Sequence, residues 1–272
     1  RLRVLILSQF FYPEMGAPAA RFLDFSRYFL RHGHEVLVLT GFPNFPSGRI
    51  HEGYKGKMFM RENVEGIQVY RTWLHASEKL GFANKALGYA SFTASSIVGA
   101  ATKLPEFDVV IATAPPPTIG AAAFAISKGR NVPLVYDLRD LWPEAIVNSG
   151  RLKNPFLIRA FEAVNHATYR QASAITTVSN GKQDALVLSG VPEDKVHVIP
   201  NGVALDSFDA NASQREAEVR DILYEHDVPE HAFKVPRPFC YRNNLYHSSR
   251  WSLAGSVMFI IDSLRTCNPH AH

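Results

Sequence analysis

Cysteine is nearly missing from this sequence. Cys240 and Cys267 are the only two among 272 residues, too few for a disulfide framework. Neither HExxH nor CxxC occurs, and the eleven histidines are scattered, so no metal-ligating pattern is present and no metal is expected. No GxGxxG follows the first apolar run, which argues against a dehydrogenase or a nucleotide-sugar epimerase. The net charge of +4 is a mild basic bias that suits phosphate-bearing ligands or an anionic membrane surface; it is too weak to argue for nucleic acid, and no nucleic-acid partner is expected. No uncharged run reaches the roughly 20 residues that span a bilayer; the nearest, 82–104, is interrupted by Asn84 and Lys85. The chain opens at Arg1 and enters the apolar Leu2-Arg3-Val4-Leu5-Ile6-Leu7 directly. No signal peptide is therefore expected, a cytoplasmic location is, and the missing Met points to a processed or clipped start.

What is present is an ordinary globular composition, 46% hydrophobic and 20% charged, which excludes a disordered chain, a collagen-like fibre and a coiled coil. Short apolar runs at 4–7, 35–40, 66–73, 107–112, 133–136, 174–178 and 195–199 read as strands. Between them lie helical patterns, one carrying Phe22, Phe25, Phe29 and Leu30 and stopped by Gly33, others at 82–104, 119–128, 156–170 and 181–189. Strands that alternate with helices imply βαβ units. The expected fold class is α/β, a doubly wound, mostly parallel sheet, Rossmann-like, with an irregular C-terminal tail. The expected organisation is one domain over 1–205, a linker and the start of a second domain over 206–235, and an atypical, poorly ordered tail over 236–272. From Pro236 neither a period of 2 nor one of 3.6 persists, and both cysteines lie beyond that point.

In an open parallel sheet, ligands bind outside the carboxyl ends of the strands. After the first strand stand Glu14, Gly16 and Ala17, where a glycine before a helix lets backbone N–H groups approach an anion. A diphosphate or acceptor-phosphate loop and a plain βα turn both remain open. The fifth strand runs into Asp137-Leu138-Arg139-Asp140-Leu141-Trp142-Pro143-Glu144. Charges there are costly to desolvate unless they pair or bind something. Asp140 or Asp137 would orient an acceptor hydroxyl or act as general base, and Arg139 would take phosphate; a buried Asp–Arg pair that shapes the loop is the alternative. Pro115-Pro116-Pro117 makes a stiff wall or a merely rigid loop. Ser179 fits a helix N-cap, and Gly181-Lys182 fails as a P-loop because Thr176 and Gln183 stand where Gly and Ser/Thr are required. The 82–104 helix, with Trp73, Phe92 and Lys103, either packs on the sheet, the favoured reading, or meets a membrane interface.

Several motifs together carry a resemblance. They are Ser8-Gln9-Phe10-Phe11-Tyr12-Pro13-Glu14 with Gly16 and Arg21, Ala114-Pro115-Pro116-Pro117, Asp137 through Glu144, Thr177-Val178-Ser179, and Val198-Ile199-Pro200-Asn201-Gly202-Val203. In this order and spacing the chain resembles the glycosyltransferase family 4-like proteins of GT-B fold, in particular bacterial surface-polysaccharide transferases of the N-acetylfucosaminyltransferase type. The resemblance covers about 1–208 and fades through 235. It implies transfer of a sugar, with retention and without metal or cofactor, from a nucleotide-sugar donor to a polyprenyl-linked or saccharide acceptor. It implies that the loop of Glu14, Gly16 and Ala17 lies beside the donor diphosphate and that Asp137 and Asp140 face the reacting centre. Arg139, Trp142, Glu144 and Pro116 would then belong to the acceptor side, and Asn201 and Gly202 to the domain junction. It also implies peripheral contact with the inner membrane around 73–104. The family's donor domain is not expected to follow, since Pro236-Arg237-Pro238-Phe239 stands where the resemblance implies that its opening strand would continue. The expectation is therefore a truncated acceptor-binding half, or else a non-catalytic subunit of a split transferase that needs a separate donor-domain partner.

Overall fold

A computed structural model of the chain describes residues 1–201 apart from 15, 80, 117 and 142–153. The expectations for the linker and tail, and for Trp142, Glu144 and Gly202, lie outside the described residues.

The first strand shows why the sheet forms. In β1 (Arg3–Leu7), Val4 and Ile6 point to one face and Leu5 and Leu7 to the other, and all four are fully buried. A strand covered on both faces has no polar side, hence a continuous apolar run rather than an alternating one. β2 (Glu35–Gly41) repeats the rule, with Val36 and Val38 on one face and Leu37 and Leu39 on the other. Each such side chain contributes about 1.5–3 kcal/mol by leaving water.

The remaining elements in chain order are α1 (Ala17–Arg31), between β1 and β2, then β3 (Phe59–Val64), β4 (Ile67–Thr72), α2 (Phe82–Thr102), β5 (Val109–Ala114), α3 (Ile119–Arg130), β6 (Leu134–Leu138), α4 (Pro155–Gln171), β7 (Ala174–Thr177), α5 (Asn180–Leu188), a 3-10 turn at Glu193–Lys195 and β8 (Val196–Val198). The eight strands form one sheet in the order β3-β4-β2-β1-β5-β6-β7-β8. All neighbours are parallel except β3 and β4. The order reverses direction at β1, which pairs with β2 on one side and β5 on the other. The doubly wound, mostly parallel reading holds. Phe22, Phe25 and Phe29 of α1 fill one face of the sheet. Phe92 of α2, and Ile119, Ala122, Ala123 and Ile126 of α3, fill the other.

β3 is an addition to the sequence reading, which placed seven strands. It pairs antiparallel with β4 through the two-residue turn Glu65-Gly66, in which both residues have positive φ (53° and 87°). Such a turn matches the twist of the strands it joins, and Gly66 meets its backbone demand without strain. β3 is an edge strand, and Arg61 and Asn63 face solvent. Polar residues on an edge discourage pairing with another chain, and they also erase the apolar signal of a strand.

α3 is built from small residues because neighbours stand close. A Cβ on Gly120 would lie 3.0 Å from Thr168 Oγ1 of α4 and 3.1 Å from the Tyr136 hydroxyl of β6. Gly129, on the same helix, has open space around the same position. Gly120→Val should therefore cost about 1–3 kcal/mol by overpacking, whereas Gly129→Ala should add about 0.5–1 kcal/mol through helix propensity. Urea unfolding midpoints of the two variants check the contrast, and equal shifts of one sign would contradict it.

Candidate functional site at the carboxyl edge of the sheet

The carboxyl ends of the parallel strands carry nearly all the charged residues singled out in the sequence. Asp137, the penultimate residue of β6, is 1% exposed. Its Oδ1 accepts from Arg21 Nη2 at 3.1 Å and from Thr176 Oγ1 of β7 at 2.8 Å, and its Oδ2 accepts from Thr113 Oγ1 of β5 at 3.3 Å. The structure therefore supports the buried-pair alternative for Asp137, with a partner the sequence reading did not assign. That partner is Arg21, which projects from α1 and lies 4.8 Å over the Phe25 ring. Its guanidinium also donates to the carbonyls of Ile199 and Pro200 and to Asn201 Oδ1, at 3.3–3.4 Å. Asn201 Oδ1 lies 3.5 Å from Arg139 Nη2 as well, so Arg21, Arg139, Asp137 and Asn201 form one connected group.

Asp140 differs. Its side chain is 55% exposed, just beyond β6, and its carboxylate lies 3.6 Å from Lys182 Nζ in the first turn of α5. Lys182 also donates to the Arg139 carbonyl. Ser179 occupies the N-cap of α5, as expected, but its hydroxyl makes no capping bond. Its backbone N–H donates to Thr177 Oγ1 instead, at 3.3 Å. Pro116 is buried, and its carbonyl accepts from the Ile119 N–H where the chain turns into α3, so its contact is with the loop itself.

At the β1 end, Glu14 is 5% exposed. Its Oε1 accepts from the backbone N–H groups of Asn44 and Phe45, at 2.8 and 2.9 Å, while Oε2 has no partner among the described residues. Burial pushes the Glu14 carboxyl above its ordinary value, against the lowering effect of these N–H groups and of Arg71. Glu14, Gly16 and Ala17 border a cavity of about 240 Å³ whose other walls include Phe10, Pro18 and Phe45. The cavity opens at the N-terminus of α1. Gly16 has φ 176°, an extended conformation open to any residue, so the backbone there does not require glycine.

Arg71 escaped the sequence reading. It is fully buried in β4, it donates to Glu62 of β3, to the Gly41 carbonyl and to the Tyr12 carbonyl, and it lies 5.1 Å from the Tyr54 ring centroid. It pins the loop that carries Glu14. A lone arginine in a strand offers no sequence signal of this role, because its partners stand 9, 30 and 59 residues away.

The comparisons with known proteins agree with this geometry. Residues 16–202 match the family described as the glycosyl transferase 4-like domain. The chain belongs to this family. A curated relative, provisionally named the colanic acid biosynthesis glycosyl transferase WcaI of Escherichia coli (strain K12), is 21% identical over 233 residues, which cover 84% of this chain and 56% of that protein. Among solved structures, Anabaena Alr3699/HepE in complex with UDP and glucose aligns with a TM-score of 0.51 and 18% identity, over 82% of this chain and half of that one. Sucrose-phosphate synthase of Thermosynechococcus elongatus aligns with a TM-score of 0.51 and 12% identity, over 76% and 49%. The chain thus spans about half the length of the relatives it matches, and the solved structures support the fold. Among the described residues no helix is long and apolar enough to cross a membrane.

Two tests follow from the geometry. Arg21→Met leaves the Asp137 carboxylate buried without its cation and should cost about 3–5 kcal/mol. Adding Asp137→Leu should recover part of that loss, and strict additivity in a double-mutant cycle would argue that the two residues do not couple. Because the folded-state pKa of Glu14 is raised, its contribution to stability is present below the unfolded-state value of about 4.5 and is lost as pH rises through the folded value. Urea midpoints should therefore shift in favour of Glu14→Gln over the wild type as the pH rises above about 4.5. A gap that does not change with pH would contradict the buried, destabilised carboxylate.

Proposed function

We propose that the chain forms the acceptor-side half of a sugar transferase. In this reading a sugar moves, with retention and without a metal, from a nucleotide-sugar donor to a saccharide or polyprenyl-linked acceptor of surface-polysaccharide assembly. One observation carries it: the family match over 16–202 falls on a sheet whose carboxyl edge gathers Glu14, Arg139, Asp140 and Asn201. The names of WcaI and of the UDP and glucose complex support the donor class and the acceptor class in the same sense.

Asp140 is the group proposed to meet the reacting centre. It is the exposed carboxylate at the end of β6, within reach of a substrate hydroxyl, whereas the oxygens of Asp137 are already engaged by Arg21, Thr113 and Thr176. Lys182, 3.6 Å away, would orient the Asp140 carboxylate. Arg139 and Asn201 are proposed to shape the wall next to it, and contact with a membrane face around 73–104 is part of the same reading.

The test uses cells that carry or lack the gene. Transfer of radiolabelled sugar from UDP-glucose and UDP-N-acetylglucosamine into lipid-linked saccharides is measured in their membranes. Deletion should abolish incorporation of label from one donor, and the wild-type gene should restore it. Asp140→Asn should restore it at least about 100-fold less well, the usual range for a lost acid–base group. Its melting temperature should be unchanged, because an exposed ion pair contributes about 0–1 kcal/mol. Undiminished incorporation after deletion would overturn the transferase reading, and full rescue by Asp140→Asn would overturn the role of Asp140.

A further inference from the structure

A second cavity, of about 500 Å³, opens at the same carboxyl edge, between the loop after β2 and the segment after β4. Its volume falls within the roughly 300–1,000 Å³ of small-ligand sites. Gly48, Arg49, Lys55, Trp73, His75 and Glu78 are among its lining residues. Asp140 stands beyond β6, and β2, β1 and β5 lie between β4 and β6. At about 4.8 Å per strand spacing, the ends of β4 and β6 are roughly 19 Å apart. A group seated in this cavity is therefore too far from Asp140 to be the one that reacts.

The backbone around the cavity is set before a ligand arrives. The Trp73 N–H donates to the Met58 carbonyl, and the Trp73 carbonyl accepts from Ser95 Oγ of α2. One turn away on α2, Ser91 Oγ accepts from the His75 N–H at 2.8 Å. The helix comes this close because of Gly88, where a Cβ would lie 2.9 Å from the His75 carbonyl oxygen. Across the cavity, Gly48 has φ 73°, and a Cβ there would fall 2.2 Å from the Ser77 carbonyl oxygen. Positive φ and the lack of room both demand glycine, so the loop after β2 rests directly on the segment after β4.

The lining combines an aromatic face with charges that are balanced. Trp73 is 36% exposed and offers its indole to the C–H groups of a ligand. Arg49 and Glu78 form a two-point pair, Nε and Nη2 against the two carboxylate oxygens, and both side chains are exposed. Lys55 pairs with Glu52. Each lining cation thus has its own carboxylate, which leaves little net charge to attract a free phosphate. A wholly apolar ligand would strip water from the Arg49–Glu78 pair without replacing its hydrogen bonds. A neutral ring with hydroxyls meets both demands. Its C–H face packs on the indole, while its hydroxyls donate to Glu78 and accept from Arg49, each of which keeps capacity that the pair itself does not use.

We propose that this cavity is a remote subsite for one neutral saccharide unit of the acceptor, stacked on Trp73 and read by the Arg49–Glu78 pair. The word acceptor rests on the transferase reading. The distance to Asp140 then makes the acceptor an oligosaccharide of several units, and it makes Trp73 and Arg49 specificity-determining residues that hold the chain away from the reacting bond. Binding energy collected at such a distance serves to position the end that reacts.

Saturation-transfer NMR on the full chain tests this with methyl glycosides of glucose, galactose and N-acetylglucosamine, and with UDP-glucose and inorganic phosphate as competitors. One glycoside should bind in the millimolar range, and neither competitor should displace it. Trp73→Ala keeps the main-chain bonds to Met58 and Ser95 and should weaken that glycoside about three- to tenfold, the range of a lost aromatic contact. Arg49→Met removes an exposed side chain, so its melting temperature should hold while the same glycoside weakens several-fold. Asp140→Asn should leave glycoside binding unchanged. Displacement by UDP-glucose would assign the cavity to the donor, and displacement by phosphate would make it an anion site; each would overturn the proposal. So would binding that is indifferent to both Trp73→Ala and Arg49→Met, binding that is lost in Asp140→Asn, or no glycoside binding at all. If label incorporation in cells depends on the gene but glycoside binding depends on neither Trp73 nor Arg49, this inference fails while the transferase reading stands. If glycoside binding depends on both but incorporation survives deletion of the gene, the transferase reading fails and the word acceptor falls with it, while the saccharide site remains.

Discussion

The buried pair of Arg21 and Asp137 is the constraint on which the carboxyl edge depends. Through it the first helix, three neighbouring strands and the segment after β8 share one polar cluster. Desolvating both charges costs several kcal/mol each, and attraction alone does not reliably offset that cost. The remaining hydrogen bonds decide the balance. Asp137 accepts from two threonines besides the arginine, and the guanidinium donates to two main-chain carbonyls and an asparagine. Apolar residues of similar volume could stabilise the domain as well, but they could not bond to Ile199 and Pro200. The pair therefore fixes geometry at the edge more than it adds stability.

Arg71 and Glu14 follow the same logic on the other flank. Arg71 donates to the carbonyls of Gly41 and Tyr12, and Glu14 accepts from the N–H groups of Asn44 and Phe45. Loops at the carboxyl ends of strands have left the sheet ladder, so their backbone groups need partners from elsewhere. Here buried charged side chains supply them. A loop held in this way stays outside the sheet yet keeps one shape, the condition for a site whose groups are aimed before a ligand arrives.

The sequence made the scaffold legible because burial on both faces leaves a continuous apolar run, as in Val4-Leu5-Ile6-Leu7. β3 was hidden for the opposite reason, since an edge strand carrying Arg61, Glu62 and Asn63 shows no apolar face. At the site, the residue types were legible and their partners were not. A charged cluster after β6 was visible, with an Asp–Arg pair as one reading, but the cation that neutralises Asp137 lies 116 residues earlier, and no spacing rule joins the two. The motif around Glu14 drew attention through Gly16. The backbone at Gly16 needs no glycine, and the carboxyl two residues before it carries the chemical information.

Unpaired polar atoms sharpen the point. Among the described residues, five buried side-chain atoms lack a partner: Gln9 Oε1, Glu14 Oε2, Arg21 Nε, His75 Nε2 and Arg139 Nε. Gln9 and Glu14 follow β1, His75 follows β4, Arg139 follows β6, and Arg21 reaches the same edge from α1. Folded chains satisfy nearly all their buried polar groups, and each exception costs about 1–3 kcal/mol. Exceptions spread evenly would describe imperfect packing. Here they gather at the carboxyl edge, where loops rather than the sheet ladder have to satisfy polar groups. Two of the five are acceptors, two are guanidinium donors, and the imidazole nitrogen is either. A group that satisfied all five would have to donate as well as accept hydrogen bonds, which a hydroxyl does by itself and a fully ionised phosphate does not.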